Sequence, residues 1–219
     1  MPIEPIRVDI VSDVVCPWCI IGYRQLVMAS KETGVPIVTF WHPFELNPDM
    51  PRKGELLSEH IARKYGSTPE QSAAARARLV ELGAELGIAF AFSPESRIYN
   101  TFQAHQLLHW AAQAGRAQDL KLALFESYFA RAQDISDPEI LIATAALVGL
   151  NGQDARAVLA ESRFGETVRE KEAFWTSRGV SGVPTMLFDA RIATSGAQGV
   201  DTFSTLLLRL AREPREVAV

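Results

Sequence analysis

The chain has 219 residues, 47% of them hydrophobic and 22% charged, a balance ordinary for a folded soluble protein of one or two domains. Its 22 basic residues stand against 26 acidic ones for a formal charge of -4, scattered singly, so there is no basic stripe of the kind that nucleic-acid binding uses. Glu4, Arg7, Asp9 and Asp13 interrupt the apolar run a signal peptide needs, and the most apolar stretch, residues 140–150, is about half the roughly 20 residues of a membrane span. A cytoplasmic protein with no nucleic-acid or membrane partner is expected.

Residues 7–15 carry Val8, Ile10, Val11, Val14 and Val15, the β-branched run of a buried strand. From Pro17 the apolar positions Ile20, Tyr23, Leu26 and Val27 recur at three- and four-residue intervals until Gly34, which predicts a helix. Residues 35–41, with Pro36 at the start and Ile37 to Phe40 favouring extended backbone, read as a second strand. Pro43, Pro48 and Pro51 then mark a surface loop.

The composition shifts there to Ala, Leu, Glu and Arg, and helices are predicted over 54–65, 69–86, 100–114, 118–130, 137–148 and 153–160. Thr68-Pro69 and Asp137-Pro138 supply starts, and no fixed-period repeat points to a solenoid. A helix over 166–178 precedes Gly179-Val180-Ser181-Gly182-Val183-Pro184. Strands over 185–188 and 191–194 follow, joined by a hairpin turn at Asp189-Ala190. After the loop Ser195 to Gly199, residues 201–212 close the chain as an amphipathic helix with Leu206, Leu207 and Leu210 on one side. The order is βαβ, a helical insertion, then αββα.

Cys16 and Cys19 are the only cysteines. A disulfide closing so short a loop removes little entropy from the unfolded chain, which leaves redox chemistry or metal binding as their use. Cys16-Pro17-Trp18-Cys19 follows a strand and opens a helix, the setting of a thioredoxin-like redox motif. Helix N-terminal N–H groups favour a thiolate at Cys16, the expected nucleophile, and Cys19, one turn inside, is the expected resolving thiol. Pro17 holds the first turn without losing a hydrogen bond, and Trp18 offers an aromatic surface to substrates while adding no positive charge. The alternative is a zinc site completed by His105 and His109 at i, i+4, but Cys19 and His105 lie far further apart than the roughly dozen residues of a finger.

Pro184 opens a strand after a glycine-rich turn, where it can be cis and expose the Val183 backbone to an extended thiol substrate. Ser195 to Gln198, beside the start of the last helix, offers an anion site for a carboxylate such as the glutamyl end of glutathione, or is simply a loop. His105 sits on a helix apolar at Phe102, Leu107, Leu108 and Trp110, so a hydrogen-bonded histidine at a domain seam is favoured over a catalytic one. Trp41, Phe44 and Phe102 read as interface aromatics first and substrate contacts second. No phosphate-binding, dinucleotide or serine-hydrolase motif occurs, so no bound cofactor is expected.

These motifs resemble the DsbA-like branch of the thioredoxin superfamily, in particular the cytosolic FrnE-like dithiol oxidoreductases. The resemblance spans nearly the whole chain: Ser12-Asp13 before Cys16-Pro17-Trp18-Cys19, Pro43-Phe44-Glu45-Leu46-Asn47-Pro48, Asn100-Thr101, Ala104-His105, Tyr128-Phe129, Asp134-Ile135, the segment ending Gly182-Val183-Pro184, and Ser195-Gly196-Ala197-Gln198. Tyr99 departs from it, standing where relatives carry proline. The resemblance implies an α/β thioredoxin fold, residues 1–50 and 166–219, interrupted by an all-helical domain, residues 51–165. It implies thiol-disulfide oxidoreductase or isomerase activity on protein or small-molecule disulfides, with Cys16, Cys19 and Pro184 catalytic and Pro17, Trp18, Val183, Phe44, Asn100, His105 and Gln198 lining the substrate site. Glutathione is a candidate co-substrate. Related kappa-type glutathione transferases and 2-hydroxychromene-2-carboxylate isomerases carry serine at the position of Cys16, so two cysteines favour dithiol exchange over the alternative, a glutathione-dependent isomerase or transferase acting on a small aromatic or polyketide-like molecule.

Overall fold

The computed structural model describes residues 4–213; residues 1–3 and 214–219, at the outer ends of the expected thioredoxin-like domain, lie outside the described residues. Strand β1 (Ile6–Ser12) is buried along almost its whole length, because it has strand partners on both edges and covered faces. Helix α1 (Pro17–Thr33) follows and ends at Gly34 in the left-handed conformation. Strand β2 (Ile37–Pro43) then lies parallel to β1, with Ile6 opposite Ile37 and Ser12 opposite Pro43.

The helical block opens with a short strand, β3 (Glu55–Leu56), and helices α2 (Leu57–Tyr65) and α3 (Pro69–Glu85). Thr68 and Gln71 form a reciprocal capping box on α3. Strand β4 (Arg97–Ile98) pairs antiparallel with β3, followed by α4 (Phe102–Gln113), α5 (Ala117–Phe125), α6 (Pro138–Leu147), α7 (Gly152–Ala160) and α8 (Gly165–Thr176). Strands β5 (Thr185–Phe188) and β6 (Ile192–Ser195) form the predicted hairpin, with Asp189 and Ala190 both at positive φ, and α9 (Val200–Arg212) ends it. The four-stranded sheet has the order β2-β1-β5-β6 and is mixed: β2 is parallel to β1, and β5 and β6 are antiparallel to their neighbours.

Two buried clusters form. One joins Ile6, Val8 and Ile10 of the sheet to Leu26 of α1 and Phe203 and Leu207 of α9. The other joins both cysteines, Ile20 and Ile21 to Leu79, Leu107, Leu124 and Phe125 of the helical block. Gln118 ties them together: its side-chain oxygen accepts hydrogen bonds from Thr39 (2.9 Å) and the Trp41 indole (2.6 Å), and its amide donates to the Tyr23 hydroxyl.

The structure departs from the expected elements in three places. The first strand stops at Ser12 rather than residue 15, because Asp13 turns the backbone toward α1 and sends Val14 and Val15 into the second cluster. The helix expected from residue 54 begins at Leu57, since residues 55–56 pair with 97–98. The helix expected over 118–130 is α-helical only to Phe125. It continues as a five-residue π turn, Glu126–Ala130, whose Phe129 carbonyl accepts from the Ala91 amide at 2.7 Å.

Gly54 stands at φ +62°, and a Cβ there would lie 2.2 Å from the Ile98 carbonyl oxygen. Backbone cannot yield as a side chain can, so Gly54→Ala should destabilise the protein by about 2–4 kcal/mol, read as a lowered urea midpoint at an unchanged m-value.

Candidate active site

The antiparallel pairing of β5 with β1, Val11 opposite Thr185, brings the end of the glycine-rich segment to the head of α1. The turn leaving β1 is closed by hydrogen bonds from the Cys16 amide to the Asp13 carbonyl (3.3 Å) and from the Cys19 amide to the Cys16 carbonyl (3.1 Å). Cys16 is the N-cap residue of α1, and Pro17 occupies its first turn. The Cys16 thiol donates to the Val183 carbonyl at 3.6 Å, a normal length for sulfur, and the Val183–Pro184 peptide is cis. A Cβ on Gly22 would stand 3.3 Å from the Pro184 ring and 3.2 Å from Met186, so the absence of a side chain there lets α1 approach Pro184 this closely.

Cys16 is 3% exposed and Cys19 fully covered. Trp18, beside them, is 42% exposed, and Tyr65, at the end of α2, is 62% exposed and within the electrostatic reach of Cys16.

Both thiols are free. The neighbouring Cys19 thiol and burial push the Cys16 thiol well up, with the Asp13 charge adding to them. Burial also opposes ionisation of Cys19, but the proton offered by Cys16 and the Lys121 charge outweigh it, so Cys19 is lowered. Desolvation and the Asp13 carboxylate thus act at Cys16 against the pull of the helix N-terminus. Cys16 remains the sulfur nearer solvent.

The DSBA-like thioredoxin domain family matches residues 7–208. The chain belongs to that family. A probable DsbA oxidoreductase from Streptomyces coelicolor superimposes with a TM-score of 0.89 at 30% identity, covering 98% of this chain and 93% of that one. The uncharacterized protein YwbO of Bacillus subtilis is 26% identical over 200 residues, 90% of this chain and 94% of its own. Cytosolic disulfide reductase DsbM from Pseudomonas aeruginosa, solved with GSH, shares the fold with a TM-score of 0.64 at 15% identity, over 94% of this chain and all of that one.

Around its DsbA-like dithiol, the chain places the other expected site residues unevenly. Pro17, Trp18, Val183 and Pro184 gather at the sulfurs. His105 is buried on α4 with Nε2 3.4 Å from Asp13 Oδ1, an ion contact without the hydrogen bond expected for it. His109 instead meets Lys171, Nδ1 to Nζ 3.1 Å, and no group of three or more His, Cys, Asp or Glu among the described residues is arranged to hold a metal. Gln198 folds back onto the Ser195 carbonyl in an exposed loop, and the amide of Gly199, which precedes α9, donates to Gln25 Oε1 at 2.9 Å. The same loop touches Pro184 through a 2.8 Å hydrogen bond from Gly196. Phe44 is half-buried in the loop after β2.

Asn100 is placed elsewhere. Its amide donates to the Met50 carbonyl (3.1 Å) and its oxygen accepts from the Phe102 amide (3.0 Å), holding two loops together. It borders a cavity of about 250 Å³ with Arg52, Gln103 and Arg169 that neither cysteine lines.

Sequence reasoning missed Tyr65, Lys121 and Glu45. Lys121 had a signal: it precedes Leu124 and Phe125 by three and four residues, which puts a charge on the apolar face of α5. Glu45 had none, since its burial depends on Arg169 and Glu172 of α8, far along the chain. Burial first, then the Glu172 charge, raise its carboxyl to about 7 despite the contact with Arg169. The folded chain thus holds a proton there that the unfolded chain gives up near its ordinary 4.5, and stability falls as pH rises through that window. Glu45→Gln, with no proton to lose, should narrow the stability difference between pH 5 and pH 8 by about 2 kcal/mol, allowing for the half-open Arg169 side, as measured by urea unfolding at both pH values.

Proposed function

We propose that the protein is a thiol-disulfide oxidoreductase or isomerase working through Cys16 and Cys19 on protein or small-molecule disulfides, in the manner of the FrnE-like members of its family. The observation that carries this reading is the pair of free thiols at the head of α1, with the Cys16 sulfur against the Val183 carbonyl. Cys16 passes its proton to Cys19 and attacks one sulfur of a substrate disulfide, and the other leaves as a thiolate. Cys19 then attacks Cys16 Sγ, which closes the Cys16–Cys19 disulfide and releases the second substrate thiol. Two electrons move from enzyme to substrate, and reversal of the same steps oxidises a dithiol.

Trp18, Tyr65 and Val183 form the landing surface, where an extended segment lies beside the Val183 peptide. The helical block, residues 51–165, acts as a separate unit that roofs the sulfurs and shapes access to them. Glutathione is the proposed thiol partner, and the cytoplasm the proposed location. A structural neighbour described as a cytosolic disulfide reductase with GSH supports both. Among the described residues no helix is long and apolar enough to cross a membrane.

Cys16→Ser should lower disulfide exchange by roughly a thousandfold or more while leaving the circular dichroism unchanged. Cys19→Ser should accumulate mixed disulfides, visible by mass spectrometry as adducts that a small thiol releases. Full exchange activity in Cys16→Ser would sink the reading. Turnover of a small molecule by Cys19→Ser with bound glutathione would replace it with glutathione-dependent isomerase chemistry.

A further inference from the structure

Arg24, one turn beyond Ile20 on α1, carries a guanidinium that the chain does not satisfy. Its Nε is enclosed without a hydrogen-bond partner, and among the described residues no carboxylate or carbonyl accepts from its other nitrogens. An enclosed donor on a charged group is unfavourable when unbonded, so a side chain kept in that state calls for a use.

Arg24 borders a cavity of about 500 Å³ between α1, the loop after α3, and α5, a size within the range of small-molecule sites. Ile20, Ile88, Leu122, Phe125 and Phe129 give it apolar walls. Those walls are fixed in place. The Ile88 amide donates to the Gly83 carbonyl and the Ala91 amide to the Phe129 carbonyl, both at 2.7 Å, so the loop is tied to α3 on one side and to the π turn on the other. Asp119 and Glu126 also border the cavity. Each is exposed and held by a different arginine, Arg116 at 3.0 Å and Arg131 at 2.6 Å, and neither pairs with Arg24.

The cavity is separate from the dithiol cleft. Gly22 lies midway between Ile20 and Arg24, roughly 200° of helical turn from each, and a Cβ on it would stand 3.3 Å from the Pro184 ring. Ile20 and Arg24 therefore occupy the face of α1 turned away from Pro184, and neither cysteine lines the cavity.

We propose that this cavity is a second binding site, for a singly charged carboxylate on an apolar body, whose oxygens accept hydrogen bonds from the Arg24 guanidinium while the apolar part lies along Ile20, Leu122 and Phe129. The inference goes beyond the dithiol reading and does not depend on it. A guanidinium edge presents parallel N–H groups that a planar carboxylate matches in pairs. The two acids set the charge of the ligand: with one unpaired cation facing two carboxylates, a dianion such as a phosphate is repelled, whereas a monoanion is held beside Arg24 against walls of low dielectric. The apolar walls add burial without direction, so recognition of the head group falls to Arg24.

The test uses octanoate as probe, 1-octanol as its uncharged match and inorganic phosphate as the dianion, each titrated into the reduced full-length protein labelled with ¹⁵N. Octanoate should shift the amides of Ile20, Ile88 and Ala123 saturably and leave the Trp18 indole and the Val183 amide unmoved. Octanol should bind about tenfold more weakly or worse, since it forms no charge-assisted pair. Phosphate should move none of these signals. Arg24→Met, which breaks no contact within the chain, should weaken octanoate about tenfold and bring it level with octanol, and Ala123→Trp should fill the cavity and abolish both. Absence of a saturable shift in the wild type overturns the proposal, as do shifts gathered at Trp18 and Val183, equal affinity for octanoate and octanol, or phosphate binding at the same amides. None of these four results needs a variant to fold. Undiminished octanoate affinity in Arg24→Met overturns it too. No readout here uses the cysteines, so failure of this site leaves the dithiol function standing.

Discussion

Asp13 leaves the central strand carrying a charge and has no water to solvate it, being 1% exposed. The chain supplies what solvent does not. The Leu46 amide donates to Oδ2 at 2.8 Å, His105 stands 3.4 Å from Oδ1, and Lys121 adds its field. Burial works to raise this carboxyl, yet these partners leave it below its ordinary value. Three pieces of chain remote in sequence, the turn after β1, the loop after β2 and helix α4, are thereby held around one buried carboxylate. The same residue's carbonyl accepts from the Cys16 amide, so the position of Cys16 depends on that attachment.

The polar seam behind the sulfurs is unfavourable for stability. Asp13 Oδ1, His105 Nε2, Glu45 Oε1 and Glu172 Oε1 are all enclosed without a hydrogen-bond partner of good geometry, and each such atom costs about 1–3 kcal/mol. An apolar filling of the same volume would hold the two clusters together better. What apolar residues cannot do is set the charge felt by a neighbouring thiol in a dry interior, as Asp13 and Lys121 do for the two cysteines.

The rest of the helical block serves this seam by conventional means. Thr68, Asp137 and Asn151 cap their helices through side-chain oxygens, and Arg156 with Glu139 forms a paired but exposed ion contact worth little. The π turn at Glu126–Ala130 is the irregular element. It leaves Tyr128 with its hydroxyl on the Arg97 carbonyl (3.0 Å) and Phe129 packed at 5.1 Å against Phe90, so the end of α5 is fixed on the segment that carries β4. That anchorage sets the orientation of α5, and with it the direction in which Lys121 points.

Local sequence determined a good deal: the strand–dithiol–helix unit, the hairpin at Asp189-Ala190, the helix starts at Pro69 and Pro138, and the meeting of the Val183–Pro184 segment with the cysteines. Each rests on interactions within a few residues or on a motif whose partners are few. The short β3–β4 pairing, the π turn and the early end of β1 were not legible, because each is decided by contacts between residues far apart in the chain. The site divides in the same way. Cys16, Cys19, Pro17 and Trp18 announce themselves by spacing and by the helix they begin, and Lys121 by a charge on an apolar helix face, whereas the burial of Glu45 emerges only when α8 brings Arg169 to it. A pKa is a property of everything within several ångströms, and only the tertiary structure says which charges those are.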